Sequence, residues 1–328
     1  MHTKDQFDTT PQVKQRLNRL PENPEKADPE DAVGPGRFPS WLHRPLPKGS
    51  ELLATNKILR ENRLHTVCEE AKCPNLLECY SRKTATFLVM GKECTRSCGF
   101  CSIDFSKTPE PLSPDEPQRV ADSVLQLELK HVVITMVARD DLADGGAEHL
   151  CHVVDAIRKT VPDVTVELLT SDFDGKHSSW DAMLASKPEI FNHNIETVRE
   201  LTPRVRHKAT YERTLSLLRH AKDNGGSLYV KSGIMVGLGE TQEQVHETLH
   251  DLYNAGCDIV TMGQYLQAGR TKLRLQSFVT PDQFTQYEAY GLSIGIKTMY
   301  CGPFVRSSYN ANLVIQKANG DIQTINSV

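Results

Sequence analysis

The sequence predicts an α/β fold: a partial (β/α)6 barrel of the TIM type, with extensions at both ends. Three observations carry that expectation. Short apolar runs recur along the chain, separated by helix-length amphipathic stretches. The runs are apolar throughout rather than alternating, as strands of a parallel sheet covered by helices read. Caps and glycine stops fall between them where helices should begin and end.

The runs are 86–90, 132–136, 164–169, 189–192, 228–236 and 259–262. Helical patterns occupy about 115–129, 147–160, 178–186, 211–223 and 241–255, and a further helix is expected after Pro281. Thr241 with Gln244 has capping-box spacing, and Gly225, Gly226 and Gly256 are stops. Six βα units in sequence imply parallel strands curved into a partial barrel, with ligand sites at the strands' C-terminal ends. The segments expected are a polar, proline-rich arm (1–50), a cysteine-bearing segment (51–83), the partial barrel (84–280) and a C-terminal extension (281–328). Phe38, Trp41 and Leu42 are candidates to dock the arm on the body.

Composition narrows the function. Lys and Arg number 38 against 42 Asp and Glu, a formal charge of −4 in 328 residues, so no nucleic-acid partner is expected. No apolar run reaches the roughly 18 residues needed to span a bilayer, so no membrane partner is expected either. Asp5, Asp8, Glu22 and Glu25 argue against an organellar transit peptide, which leaves the reducing cytoplasm as the expected compartment. Nine cysteines are present, six of them between Cys68 and Cys101. In a reducing compartment such crowding reads as metal or cluster ligation rather than disulfides.

Cys94-Thr-Arg-Ser-Cys98-Gly-Phe-Cys101 follows the first strand directly. Three thiolates at this spacing can wrap three corners of a 4Fe–4S cubane and leave the fourth iron open. A structural zinc loop is the alternative, although zinc usually pairs such a knuckle with a second pair of ligands. The spacing, with Phe100 before the last cysteine, resembles the radical S-adenosylmethionine superfamily. The resemblance implies that the open iron chelates S-adenosylmethionine and that reduction releases a 5′-deoxyadenosyl radical. Asp144-Gly145-Gly146 is similar to the superfamily's Gly-Gly-Glu element, with Ala147 in place of the glutamate. Gly145 and Gly146 are therefore candidates to meet the methionyl amine. Gly237 and Gly239, at the end of the fifth strand, are candidates for close backbone approach to the adenine. A plain turn accounts for either glycine run equally well.

Cys68, Cys73 and Cys79 form a second triad, Cys-x4-Cys-x5-Cys, ahead of the barrel. This triad resembles the auxiliary-cluster motif of the lipoyl synthase family. Family-like segments continue at Asn192–Val198, Lys231–Gly233, Gly237–Glu240, Gln264–Gln267 and Cys301–Tyr309, so the resemblance covers roughly 37–311. It implies that Ser308, or alternatively Ser307, supplies an oxygen as fourth ligand of a second 4Fe–4S cluster. Oxygen is a harder donor than thiolate and holds a soft cluster iron less firmly. It also implies a sulfurtransferase (EC 2.8.1.8) acting on octanoyl-lysine of lipoyl carrier domains, in 2-oxoacid dehydrogenases or the glycine cleavage H protein. Two sulfurs from the auxiliary cluster enter at C6 and C8, with two S-adenosylmethionine molecules cleaved per product. A flavodoxin or ferredoxin reductant and an iron–sulfur carrier for cluster repair are implied as partners.

Asn194 and Glu196 end the fourth strand and are candidates to bond the cofactor's ribose or methionyl group; Arg206 is a candidate for its carboxylate or else a surface residue. Tyr265 and Gln267 are candidates to line the acyl channel, and no catalytic residue is expected beyond the cluster ligands. Departures from the family pattern occur at Ser171 and across 268–274. Other radical sulfur-inserting or methylthiolating enzymes, and a non-catalytic iron–sulfur carrier, are the competing readings.

Overall fold

The computed structural model describes residues 38–44 and 51–325, all within the compact unit Arg37–Val328. The rest of the arm expected over 1–50 lies outside the described residues. Within its described part, Leu42 is buried and Phe38 lies 5.6 Å from Phe278, ring centroid to centroid.

Ten strands and eleven helices follow in chain order among the described residues. Helix α1 (Glu51–Glu61) precedes strand β1 (His65–Thr66), α2 (Val67–Glu70) and α3 (Leu76–Ser81). Strand β2 (Thr86–Val89) opens the parallel sheet, and a small ribbon, β3 (Glu93–Cys94) with β4 (Asp104–Phe105), follows it. Five units come next: α4 (Glu116–Gln126) with β5 (His131–Met136), α5 (Ala147–Thr160) with β6 (Thr165–Leu169), α6 (His177–Ala185) with β7 (Ile190–Asn192), α7 (Thr202–Val205) and α8 (Tyr211–Asn224) with β8 (Tyr229–Val236), and α9 (Gln242–Asn254) with β9 (Ile259–Gln264). The chain ends with α10 (Pro281–Ser293), β10 (Thr298–Gly302) and α11 (Ala311–Asn319).

The sheet runs β1-β2-β5-β6-β7-β8-β9-β10, and every pairing except β1 with β2 is parallel. Sequential neighbours throughout are what short right-handed βα crossovers produce. Among the described residues no ladder joins β10 back to β1 or β2, so the barrel is open. The expected strands are all present. The sheet has one more parallel strand than the six read from the sequence: β10 pairs with β9 from Thr298↔Ile259 to Gly302↔Gly263, beyond the boundary expected at 280.

The local physics agrees with the reading. Thr241 and Gln244 form a reciprocal capping box, and Thr280 and Gln283 form a second. Gly256, at φ +86°, turns the chain out of α9. Helix α4 turns Val120, Ala121 and Val124 to the sheet at helical spacing, all fully buried.

One feature of the interior is polar. Glu167 on β6 is fully buried and accepts hydrogen bonds from Lys231 Nζ on β8 (2.8 Å) and Asn192 Nδ2 on β7 (2.7 Å). His131 Nε2 on β5 lies 3.3 Å from its other oxygen. Four neighbouring strands are thus tied together by one carboxylate.

Candidate active site

The first cysteine loop hangs from the C-terminal ends of β5 and β6. Thr95 N and Oγ1 both donate to Ala138 O, at 3.0 and 2.9 Å, and Thr95 Oγ1 accepts from Asp140 N. Arg96, between the first two cysteines, is buried and fork-bonded to Asp140 (2.7 and 2.8 Å), with Asp172 at 2.7 Å from its other terminal nitrogen. Sequence reasoning missed this anchor. The partners lie on distant loops, and no local pattern announces the pairing. On the far side, Gly99 N donates to Val205 O and Leu273 N donates to Gly99 O, both at 2.9 Å. A Cβ at Gly99 would stand 2.8 Å from Leu273 Cγ, so any larger residue would push the Leu273 side chain out of place.

The second triad is built by two short helices. Thr66 caps α2 by accepting from Glu69 N, which places Cys68 in the first turn; Cys73 N then donates to Cys68 O, and Cys79 lies on α3. The segment is stitched to the C-terminal serine motif. Asn75 Nδ2 donates to Phe304 O (2.7 Å), and Tyr309 OH donates to Glu78 Oε1 (2.9 Å).

Both triads face one cavity of about 470 Å³, together with Ser307 and Ser308. All nine cysteines are free thiols. Phe100, Asn194, Glu196, Arg206, Arg306, Tyr265 and Gln267 also line it. Asn194 Nδ2 donates to Glu196 Oε1 (3.0 Å) and to Ser307 Oγ (3.2 Å), so one amide spans from the barrel wall to the serine motif. Ser308 makes no side-chain hydrogen bond among the described residues. Glu196 sits at φ +67°, held there because its N donates to Gly233 O and its carbonyl accepts from Met235 N. A non-glycine residue in this region costs on the order of 1 kcal/mol, and such strain clusters at functional sites.

Burial raises the Glu196 carboxyl, against the opposing pull of Arg206. Arg206 is pinned by its own chain: it donates to Ala209 O, Asn194 O and Thr214 Oγ1, and to His193 Nε2 at 3.3 Å. His193 must then carry its proton on Nδ1, which faces Thr170 O at 2.8 Å, since a carbonyl only accepts. Burial, with Arg206 alongside, pushes His193 down to about 4, so it is neutral and structural at pH 7.

Gly145, Gly146, Gly237 and Gly239 are not brought to the cavity wall. Their backbones still need glycine, for reasons internal to the chain. Gly146, at φ +89°, packs so close that a Cβ would meet Met90 Sδ at 2.4 Å. At Gly237, φ +101°, a Cβ would meet Gln264 Nε2 at 2.2 Å and Ser277 O at 2.6 Å. Tyr265 OH donates to Leu273 O (2.7 Å), and Gln267 Nε2 donates to Gly269 O and Lys272 O (3.0 Å each), so both brace the 268–274 loop.

The donors fit iron–sulfur clusters: soft sulfur atoms in two sets of three around one chamber. Among the described residues no three His, Cys, Asp or Glu side chains converge as a single metal ion requires, whereas a cubane spreads its ligands around four irons. Burial pushes the thiols of Cys68, Cys79 and Cys98 up to about 12 and Cys101 to about 11. These thiols stay protonated at neutral pH until a metal displaces the proton. Anaerobic reconstitution in weakly buffered medium is therefore expected to release about one proton from each of the four, and to proceed more readily as pH rises from 7 toward 9. A pH-indicator trace that stays flat while clusters form would contradict this.

The radical SAM superfamily profile matches residues 88–252, and the profile of the N-terminal domain of lipoyl synthase of the radical SAM family matches 8–73. The lipoyl synthase of Protochlamydia amoebophila (strain UWE25) is 67% identical over 314 residues, 95% of this chain and 97% of that one. The chain belongs to the lipoyl synthase family. The lipoyl synthase of Chlamydia abortus is 52% identical over 280 residues, 85% of this chain and 90% of that one. Among solved structures, HydG, a maturase of the [FeFe]-hydrogenase, superposes with TM-score 0.53 at 12% identity, over 76% of this chain and 63% of that one. Streptococcus suis SuiB bound to its precursor peptide SuiA gives 0.52 at 12% identity, over 70% of this chain and about half (52%) of that one. These likenesses show that this lipoyl synthase family member shares the mostly parallel, TIM-barrel-like α/β fold of those proteins. Membership in the family makes the chain a sulfur-inserting enzyme that uses 4Fe–4S clusters and S-adenosylmethionine. No helix among the described residues is long and apolar enough to cross a membrane.

Proposed function

We propose that this chain inserts two sulfur atoms at C6 and C8 of an octanoyl group amide-linked to a lysine of a lipoyl carrier domain. The observation that carries the reading is that Cys94, Cys98 and Cys101, Cys68, Cys73 and Cys79, and the serine motif all line one chamber. The first triad holds the 4Fe–4S cluster that binds S-adenosylmethionine; the second triad with Ser308 holds the auxiliary cluster. Ser307 is already engaged by Asn194, which favours Ser308 as the oxygen ligand. When bound, these groups supply a hydrogen-abstracting radical and sulfur, the chemistry that unactivated methylene carbons demand.

The chain's own residues bind and orient. Arg206 commits four of its five N–H groups to the protein and keeps one for a carboxylate at the cavity wall. Glu196, held beside it in a strained backbone, accepts from an ammonium group, and Asn194 fixes its direction. Phe100 gives the cofactor an apolar wall; Gly145, Gly146, Gly237 and Gly239 shape the turns behind that wall. Tyr265 and Gln267 hold the rim loop over the acyl channel. The arm at 1–50, the auxiliary segment at 51–83, the barrel at 84–280 and the extension at 281–328 then divide the work, the last adding strand β10 to the barrel's sheet and bringing the serine ligand back to the second triad. A flavodoxin or ferredoxin reductant, an iron–sulfur carrier that restores the consumed cluster and a cytoplasmic location complete the reading.

The test is an anaerobic assay of reconstituted full chain with an octanoyl-lysine peptide, scored by mass. The expected result is a product carrying two added sulfurs, preceded by a singly thiolated species, with 5′-deoxyadenosine released. Release of 5′-deoxyadenosine without sulfur in the peptide would move the chain to another radical reaction. Two clusters with no release would make it a carrier.

A further inference from the structure

Arg44 belongs to the described part of the arm, yet its guanidinium lies where the auxiliary segment meets the serine motif. Nη1 donates to Asn75 Oδ1 (3.0 Å) and Glu78 Oε2 (2.7 Å); Nη2 donates to Tyr309 OH (3.2 Å). Its carbon centre stands 3.8 Å above the Phe304 ring. Only 19% of the side chain is exposed. The acceptors come in two sets. Asn75 and Glu78 lie between Cys73 and Cys79; Phe304 and Tyr309 flank Ser307 and Ser308. Arg44 therefore touches both halves of the proposed auxiliary ligand set and none of its donors.

The contacts close a ring. Arg44 and Tyr309 each donate to Glu78, one to either oxygen, and Arg44 also donates to Tyr309. Asn75 accepts from Arg44 and donates to Phe304 O. Cys79 packs in a small apolar group with Tyr300 and Tyr309. A planar guanidinium with several fixed N–H directions can hold such a ring, whereas an ammonium on a flexible stem cannot. The serine oxygen is the weakest donor proposed for that cluster, so its grip on iron depends most on being held at the right distance.

We infer that Arg44 is a positioning residue for the auxiliary cluster. It clips the Cys73–Cys79 segment to the serine motif, so that the serine oxygen is presented to the fourth iron. The inference rests on the proposed ligand set. Without the clip the serine oxygen would not be held at the fourth iron, and a bound cluster would lose that iron as Fe²⁺ more readily, its net charge falling by the two units carried away.

The experiment compares full-length wild type, Arg44→Ala, Arg44→Lys and Cys73→Ala, all reconstituted anaerobically. Iron content, Mössbauer spectra, 5′-deoxyadenosine release and doubly thiolated octanoyl-lysine peptide are measured on each. For Arg44→Ala the expected result is normal 5′-deoxyadenosine release, a Mössbauer component of an iron-deficient auxiliary cluster and product lowered roughly 10–100-fold, the scale of losing a residue that orients metal ligands. Arg44→Lys should fail to restore the spectrum. Should Arg44→Ala not fold, Tyr309→Phe carries the test, since it removes two bonds of the ring with little change of shape. A full-iron auxiliary spectrum and wild-type product in the folded variant would overturn the inference. Cys73→Ala separates the two levels: if it still assembles both clusters, the ligand set itself is wrong, and if it lacks one, the ligand set stands whatever Arg44 does.

Discussion

Glu167→Gln is expected to destabilise the fold by roughly 3–5 kcal/mol, because it leaves the Lys231 ammonium buried without a counter-charge. The carboxylate is fully buried and bonded to Lys231, Asn192 and His131, on three strands other than its own. Glutamine keeps the shape and part of the hydrogen bonding but not the charge. Pairing the change with Lys231→Met removes the stranded ammonium and should recover most of the loss, since an ion pair replaced as a unit is often close to neutral. Thermal and urea unfolding of the two variants measure this directly; a single variant as stable as wild type would show that the pair carries little. The same group sets an acid limit. Burial alone would raise the Glu167 carboxyl, but Lys231 beside it and the His131 contact hold it down at about 2. The folded value lies below the unfolded one, so its stabilisation is present above about pH 4.3 and fades as pH falls toward 2.

The second large effect separates the two triads. Cys98→Ala is expected to abolish 5′-deoxyadenosine release, because two thiolates no longer hold the cofactor-binding cubane. Cys73→Ala is expected to leave that release intact and to abolish sulfur insertion. The two sites share a chamber but are built from different segments. The Cys98 loop is fixed by Arg96 to Asp140 and Asp172, and the Cys73 segment is fixed to the serine motif. Loss of one should therefore leave the other folded. Iron content and 5′-deoxyadenosine yield, measured side by side, decide it. A lipoylated product from Cys73→Ala would show that sulfur comes from elsewhere.

Much of this arrangement was legible in the sequence because local chemistry encodes it. Six strands are apolar runs bounded by caps, and the triads are spacings a cluster can use. The rest is encoded across distance. Strand β10 is a five-residue run of which only Cys301 and Gly302 fell in the family-like segment Cys301–Tyr309, and only its register against β9 makes it a strand. Arg96 looks like any loop arginine until Asp140 and Asp172 are brought to it. Gly237 and Gly239 read as cofactor glycines; their positive φ values also serve a turn in which Gly237 O accepts from Gln276 N. Glycine advertises close approach without saying to what.

The crossing of Leu273 over Gly99 restricts where this chain can vary. Gly99 precedes Phe100 and Cys101, and its carbonyl accepts from the backbone of the loop at 268–274. Drift at Arg270, exposed at the tip, leaves that backbone junction alone, whereas Lys272 is half-buried and its charge acts on the Cys101 thiol. An insertion or deletion that displaced residue 273 would instead pull on the stretch between two cysteines. Change is thus tolerated at the tip of this loop and forbidden at its root.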